Sequence, residues 1–450
     1  MVKISWLGPA RLTAVGFMAL ILTGTLLLML PISAHVPHWT PFLPAFFTAT
    51  SAVSLTGLIV EDTGSYWTHF GQCVILALIQ LGGLGIMSLA SLSGMLLTGR
   101  VSLKARAAGA AEGRPIVEGG IRRTLTFTFL FTFAAEAAVA LVVGVRGMAH
   151  YGWTGPQAVW EGTFHAVSAF NNAGFSTYSD NLVGFAADPW ILLPLAAAII
   201  GGGLGYPVHA EFLRRVRARL TVRARVHHAS VTARMTLWAS AVLVVGGTAF
   251  MWASESRGVL AGMPAGERLL NAFFMAVSPR TAGFNAIDYG QAHPVTLMGT
   301  DVLMYIGGGS AGTAGGIKVT TACVLLAAMV AEFRGRDDVA IGHRRIPTAA
   351  VRQALVLAFF GIAVIAVGVG LLRAFDPQFT ADQVMFEVVS AFATVGLSTG
   401  ITASLSAPSQ IILCFIMYLG RVGPTTLIAA LAARAVTQRF SYPEERPFIG

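Results

Sequence analysis

The feature that most constrains the fold of this chain is a motif repeated four times at nearly even spacing. It reads Phe-Thr-Ala-Thr-Ser-Ala-Val-Ser-Leu-Thr-Gly at 47–57 and Phe-His-Ala-Val-Ser-Ala-Phe-Asn-Asn-Ala-Gly at 164–174. The other copies are Phe-Met-Ala-Val-Ser-Pro-Arg-Thr-Ala-Gly at 274–283 and Phe-Glu-Val-Val-Ser-Ala-Phe-Ala-Thr-Val-Gly at 386–396. Each has Phe, three residues, Ser, and then a closing glycine five or six positions on. Those glycines, Gly57, Gly174, Gly283 and Gly396, lie 117, 109 and 113 residues apart. A second echo follows 24 to 29 residues later, at Gly82-Gly83-Leu84-Gly85, Gly202-Gly203-Leu204-Gly205, Gly308-Gly309-Ser310-Ala311-Gly312 and Gly420-Arg421-Val422-Gly423. Two motifs in register over four segments mark an internally repeated architecture.

The surroundings of the repeat are a lipid bilayer. The 450 residues are 55% hydrophobic and 11% charged, whereas soluble domains carry about a quarter charged residues. Eight stretches approach the roughly 20 apolar residues that a membrane helix needs: Leu12–Leu30, Val74–Leu97, Thr124–Val145, Trp190–Phe212, Met235–Trp252, Val295–Val330, Val351–Leu372 and Gln410–Ala433. The first follows a basic start and ends in a weak mimic of a cleavage site, but the repeat uses it, so it is read as retained. Segments 98–123, 213–234 and 331–352, with Lys3, Arg11 and the tail arginines Arg434, Arg439 and Arg446, hold 23 of the 30 Lys and Arg. The opposite segments hold only Arg146, Arg257, Arg268 and Arg373. The positive-inside rule then places both termini in the cytoplasm of a plasma-membrane protein. The net charge of +9 needs no nucleic acid to explain it. Cys73, Cys323 and Cys414 lie far apart in apolar stretches and read as packing residues.

The expected fold is an all-α integral membrane protein of eight transmembrane helices, in four pseudo-fourfold helix–pore loop–helix units around one central pore. The units span 1–99, 100–221, 222–336 and 337–433, with a cytoplasmic tail at 434–450. Each motif reads as a short helix dipping in from outside and ending in an extended glycine turn. Irregular backbone at membrane depth survives only where it is buried or lines water. Four such turns around an axis would aim free carbonyls at a dehydrated cation, and the negative ends of the short helices would add to the attraction. Glycine suits a backbone that needs positive φ and close approach. Asp62, Asp180 and Asp288 follow their glycines by five or six residues, with Glu61 beside the first, and read as an outer vestibule that concentrates cations. The fourth unit, Gly396-Leu-Ser-Thr-Gly, has no such acid.

Ser-Leu-Thr-Gly-Leu-Ile-Val (54–60), Asn-Asn-Ala-Gly-Phe (171–175), Arg-Thr-Ala-Gly-Phe-Asn (280–285), Gly-Gly-Ser-Ala-Gly-Thr-Ala-Gly-Gly-Ile-Lys (308–318) and Gly-Arg-Val-Gly-Pro-Thr-Thr-Leu (420–427) carry a resemblance. Over nearly its whole length the chain resembles the Trk/Ktr/HKT superfamily of potassium transporters, and its eight spans look more like KtrB-type than TrkH-type members. The resemblance implies a selectivity filter at Ser54, Leu55, Thr56 and Gly57, at Asn172, Ala173 and Gly174, at Thr281, Ala282 and Gly283, and at Thr394, Val395 and Gly396. Potassium would be held at Thr56, Gly57, Asn172, Gly174, Thr281, Gly283, Thr394 and Gly396, with sodium as a second candidate ion. Gly57 stands where sodium-preferring relatives have serine. Leu58, Phe175, Phe284 and Leu397 stand where potassium channels have tyrosine, which implies fewer ordered sites and looser selectivity.

The resemblance also implies a homodimer, one pore per subunit, on a cytosolic KtrA-type regulatory subunit of Rossmann-like, nucleotide-binding fold. The chain itself has no phosphate-cradling glycine loop outside its spans, so no organic cofactor is expected in it. Residues 307–316 hold six glycines, each costing a helix up to about 1 kcal/mol relative to alanine. In the family this segment is an intramembrane loop that blocks or opens the pore, which assigns Gly308, Gly309, Ser310, Gly312, Thr313, Gly315, Gly316 and Lys318 to a gate. Arg421 lies mid-span, where a cation is costly unless it faces water or a partner. The resemblance puts it beneath the filter as an electrostatic gate; a structural ion pair with Glu136, Glu387 or Asp301 is the alternative. Arg280 is expected to hold the third turn through carbonyls. His165, Glu387 and the serines show no nucleophile–base arrangement, so an enzyme is not expected. The rival function is a secondary transporter of another solute coupled to sodium or protons, but such proteins more often use inverted repeats.

Arg214, Arg215, Arg217, Arg219, Arg223 and Arg225 form a dense positive strip suited to a cytosolic partner or to anionic membrane lipid. Reversing these charges should release a co-purifying regulatory subunit; retention of that subunit with full uptake would leave the strip to the lipid.

Overall fold

The protein is described as a computed structural model over residues 9–35, 38–98, 121–205, 230–310, 312–342 and 344–433, with isolated positions between 208 and 215. Of the arginine strip only Arg215 is among them; Arg214, Arg217, Arg219, Arg223, Arg225 and the tail 434–450 lie outside the described residues.

The chain runs α1 (Pro9–Met29), α2 (Phe42–Ser54), α3 (His69–Thr98), α4 (Ile121–Tyr151), α5 (Gly155–Phe170) and α6 (Pro189–Leu204). It continues through α7 (Val231–Glu255), α8 (Ala265–Val277), α9 (Pro294–Tyr305), α10 (Val319–Phe333), α11 (Thr348–Phe375), α12 (Ala381–Ala393) and α13 (Ala407–Ala433). The only sheet among the described residues is a hairpin of β1 (Ala340–Ile341) and β2 (Arg344–Arg345). The order of long helix, short helix, loop and second apolar helix thus recurs four times. Local chemistry sets the starts. Pro156, Pro189 and Pro294 occupy the first helical turns, and Asp188 accepts the Trp190 N–H at 2.9 Å. Thr380 and Gln383 form a reciprocal capping box on α12.

By length and apolarity, three described helices suffice to cross a bilayer: Phe129–Tyr151, Val231–Glu255 and Thr348–Phe375. Ala14–Met29, Phe42–Ser54, His69–Leu84, Pro189–Leu204, Val319–Phe333 and Ala407–Gly423 are shorter apolar helices. Two of the apolar stretches are not single helices. Trp190–Phe212 stops at Leu204, where Gly205 takes a φ of 82°, and Val295–Val330 is open between Tyr305 and Val319. Both breaks fall at glycine, which holds helical backbone poorly. Large apolar side chains such as Leu130, Leu141, Val242 and Phe359 face outward on the long helices, the surface that lipid covers.

The interior consists of four apolar clusters, and their membership explains the motif phenylalanine. Phe164 of the second unit lies in the cluster built by α1, α2 and α3, and Phe274 of the third lies in that of α4, α5 and α6. Phe386 enters the cluster of α7, α8 and α9, and Phe47 of the first unit enters that of α11, α12 and α13. Each unit inserts one ring into the core of the preceding unit, and the series closes on itself. All four rings are 0–1% exposed. The second glycine echo serves the same packing. A side chain on Gly82, Gly202 or Gly420 would collide with the carbonyl of Val53, Phe170 or Phe392, the last turn of the adjoining short helix.

Replacing Phe164 or Phe386 by Ala should therefore cost about 3–5 kcal/mol. Phe133, 53% exposed on α4, should tolerate the same change with a loss of about 0.5 kcal/mol or less. Thermal denaturation midpoints in detergent would separate the two classes.

Candidate functional site

At the end of each short helix the backbone makes the same turn. The residue two before each motif glycine is left-handed although it is not glycine: φ is 58° at Leu55, 57° at Asn172, 77° at Thr281 and 51° at Thr394. The glycines follow at 91°, 72°, 76° and 95°. Left-handed backbone costs a side chain about 1–2 kcal/mol, and more for a β-branched residue such as Thr281 or Thr394, so something must hold these turns.

The motif serine holds them. Between the two positive-φ residues, Thr56, Ala173, Ala282 and Val395 donate their N–H groups to the carbonyls of Ser51, Ser168, Ser278 and Ser390 at 2.8, 2.8, 2.9 and 2.9 Å. The serine hydroxyls add a second tie. Those of Ser51 and Ser390 accept the Gly57 and Gly396 N–H groups at 3.0 Å. Those of Ser168 and Ser278 donate to the carbonyls of Phe175 and Phe284, the former at 2.8 Å. All four serines are fully buried.

The four turns meet in a ring. A Cβ built on Gly57 would strike the Ala173 carbonyl and sit 3.1 Å from the Gly174 Cα. One on Gly174 would sit 2.7 Å from the Ala282 carbonyl and 2.9 Å from the Gly283 Cα. One on Gly283 would strike the Val395 carbonyl, and one on Gly396 would strike the Thr56 carbonyl, 2.9 Å from the Gly57 Cα. The order Gly57, Gly174, Gly283, Gly396 therefore returns to Gly57, with room for no side chain at any joint. Ser54 stands just behind the first turn, its hydroxyl 2.8 Å from that of Thr56.

Against this ring lies the glycine-rich segment between α9 and α10. Its ends are pinched together, with Gly307 N–H to Ile317 carbonyl at 2.9 Å and Ile317 N–H to Tyr305 carbonyl at 3.2 Å. Gly309 donates to the Gly203 carbonyl at 2.7 Å, and Gly308 and Gly312 press on the same stretch of α6. A side chain on Gly315 would collide with the Thr394 hydroxyl, and Gly316, at φ 61°, lies beside Ala393. The Thr313 hydroxyl is 3.3 Å from the side-chain amide of Asn172. Ser310 pairs with Thr320 at 2.6 Å, and the Lys318 ammonium donates to the Ala314 carbonyl. The segment thus touches the left-handed residues of two turns, Asn172 and Thr394.

Arg421, 4% exposed, donates from Nη1 to the Thr313 carbonyl, while its Nε and Nη2 have no protein partner among the described residues. The carboxylates that might have paired with it are engaged elsewhere or lack such a contact. Glu136 accepts from Asn171 at 2.9 Å and Gln80 at 3.4 Å. Glu387 accepts from Ser398, Thr402 and the Thr399 N–H, and Asp301 makes no ion pair among the described residues. Arg280 departs from expectation: its partner is not a turn carbonyl but the hydroxyl of Ser240 on α7, at 2.8 Å. It ties the third turn to the outer helix.

The acids outside the ring each cap their own turn. Asp62 accepts from the Ser65 N–H and hydroxyl at 2.7 Å, Asp180 from the Gly184 N–H at 2.8 Å, and Asp288 from the Gly290 N–H at 2.8 Å. A further brace is not evident from the sequence alone. The residue after the motif phenylalanine braces the serine two beyond the glycine in opposite units: His165 Nε2 is 3.0 Å from the Ser176 hydroxyl, and Glu387 accepts the Ser398 hydroxyl. The aligned motifs carry that signal, since Thr48 and Met275 stand at the same position in the other two units, with Ile59 and Asn285 two beyond the glycine.

Comparison with known proteins identifies the family. Residues 11–439 match the family model described as TrkH, cation transport protein. The chain is 37% identical over 443 residues to Ktr system potassium uptake protein B of Bacillus subtilis, covering 98% of this chain and 97% of that one. It is 36% identical to the potassium/sodium uptake protein NtpJ of Enterococcus hirae, over 99% and 98% of the two chains. The crystal structure of the potassium transporter TrkH from Vibrio parahaemolyticus superposes with a TM-score of 0.74 at 19% identity, covering 95% of this chain and 86% of that one, a likeness of fold. With its apolar helices and the family match across nearly its full length, the chain belongs to the TrkH family of cation transport proteins, multi-pass proteins of the membrane.

Proposed function

We propose that this protein takes up potassium across the plasma membrane through the ring of Gly57, Gly174, Gly283 and Gly396. The observation that carries the reading is the closure of that ring by four turns of one conformation. Positive φ at alternate residues rotates successive peptide planes alike, so the carbonyls of Leu55, Thr56, Asn172, Ala173, Thr281, Ala282, Thr394 and Val395 can share one axis and replace the water around a bare cation. The four short helices end at the ring with their partly negative termini. Glycine Cα atoms this close leave no chamber for an organic solute, which favours the channel-like path over a transporter of another solute. Four units, 1–99, 100–221, 222–336 and 337–433, then surround one pore. The cyclic insertion of the motif phenylalanines supports that arrangement.

Below the filter, residues 307–316 and Arg421 form the gate. The loop backbone reaches two filter turns, and Arg421 carries its charge to the same place through Thr313. Asp62, Asp180 and Asp288 line the outer vestibule; the turns of Asp62 and Asp180 engage one carboxylate oxygen each, while both oxygens of Asp288 accept, from the Gly290 N–H and from Gln291. By the resemblance of its motifs, the protein would work as a homodimer resting on a cytosolic nucleotide-binding regulatory subunit. The bias of basic segments supports cytoplasmic termini. The name of the Enterococcus protein makes sodium the second ion to test.

Two variants test the reading. In Gly57→Ser a side chain must enter at φ 91° against the Ala173 carbonyl, which forces the ring to open. Potassium-over-sodium uptake in proteoliposomes should fall about tenfold, a change of about 1.4 kcal/mol between the ions. An unchanged ratio in both Gly57→Ser and Gly283→Ser would remove the filter assignment. Arg421→Ala removes a charge which, about 6 Å from a cation at an effective dielectric near 20, repels it by roughly 3 kcal/mol. Basal flux of the folded variant should rise by up to about a hundredfold. Wild-type or lower flux would take Arg421 out of the gate.

A further inference from the structure

We propose that the groove between the start of α7 and the end of α10 binds an anionic phospholipid, its phosphate held by Arg234, Arg334, Arg336 and Arg344. The groove holds about 990 Å³, and Ala340, Ile341 and Arg344 of the β1–β2 hairpin contribute to its lining. Its rim and its walls differ in chemistry. The four arginines stand at the rim, while the walls are Met235, Trp238, Ala239, Leu326, Ala327 and Val330. Both helices belong to apolar stretches of the membrane layer. From Val231 to Trp238 the groove descends about 10 Å into that layer, and from Arg334 to Cys323 about 16 Å, at the usual helical rise of about 1.5 Å per residue. Such a depth suits an acyl chain and excludes a free, fully polar anion as the whole occupant.

Charge selects the headgroup. All four arginines are exposed, and none has an ion-pair partner among the described residues. The groove's one carboxylate, Asp338, is already bound to Arg345 at 2.9 Å. Glu332 and Asp337 are exposed nearby and leave the arginines in excess. A zwitterionic headgroup offers its phosphate together with a compensating ammonium; an anionic one offers the phosphate alone. Basic pockets between membrane helices favour the latter. The lipid would lodge on α10, which starts at Val319, three residues beyond Gly316 of the glycine-rich loop. The site stands whether or not the ring is the filter.

Trp238 supplies the assay, because it lines the groove and is 72% exposed. The full chain is reconstituted in nanodiscs doped with phosphatidylglycerol or phosphatidylcholine brominated on the acyl chain. The Trp238 signal is taken as the difference from Trp238→Phe. Brominated phosphatidylglycerol should quench it at about tenfold lower mole fraction than phosphatidylcholine. Changing all four arginines to Gln should abolish that preference while leaving quenching by phosphatidylcholine intact. If that variant does not fold, Arg336→Gln/Arg344→Gln, outside the helices, should reduce the preference about threefold. Equal quenching by the two lipids, or a preference that survives these variants, overturns the proposal. So does displacement by millimolar inorganic phosphate, which would mark a free-anion site. Absence of quenching in every lipid also overturns it, since a second copy or a protein partner then covers the face.

Discussion

Everything in this fold follows from one constraint: irregular backbone placed at membrane depth must find partners inside the protein or line a watery path. Four short helices end in buried turns, and each must dispose of its last carbonyls and of a turn that contains a left-handed side chain. A single buried serine per unit meets that demand, through its carbonyl in all four and through its hydroxyl in two opposite senses. In the first and fourth units the hydroxyl accepts from the glycine N–H. In the second and third it donates to the carbonyl beyond the glycine. The donor–acceptor duality of a hydroxyl lets one residue type brace turns that differ in detail. The strained residues Leu55, Asn172, Thr281 and Thr394 persist because the surroundings over-determine them, as strain at functional sites generally does.

The same economy governs the glycines. In the ring they are required by positive φ and by the next turn's carbonyl; on α3, α6 and α13 they are required by the approach of the short helices. Between α9 and α10 they serve differently, letting a chain without helical hydrogen bonds lie against α6 and the fourth turn. Arg421 meets this loop through one carbonyl, and two of its guanidinium nitrogens remain without protein partners. A buried cation so thinly satisfied is expensive in apolar surroundings and reasonable beside water. That contrast, with Glu136 and Glu387 committed elsewhere, argues against a structural ion pair.

Much of this was legible in the sequence because the repeat is strict. The Phe-x3-Ser and glycine spacing located all four turns and the loop 307–316. The roles of the Phe and Ser were not legible, since a single line of residues does not say which unit a ring enters or which N–H a hydroxyl meets. Helix lengths read from hydropathy ran too long at Trp190–Phe212 because apolar glycine counts toward a span while breaking it. Arg280 was misread for a similar reason: a guanidinium can reach several acceptors, and only the packing of α7 against α8 places Ser240 first. The His165 and Glu387 braces lay in plain alignment but carry no pattern until Ser176 and Ser398 are seen opposite them.

The central claim is that the four turns together hold a dehydrated cation. Crystals of the full chain grown in rubidium, a heavy substitute for potassium, test it most directly through anomalous scattering. Peaks are expected on the axis of the ring, between the carbonyls of Thr56, Ala173, Ala282 and Val395. Anomalous peaks elsewhere in the membrane layer, with none in the ring, would contradict it.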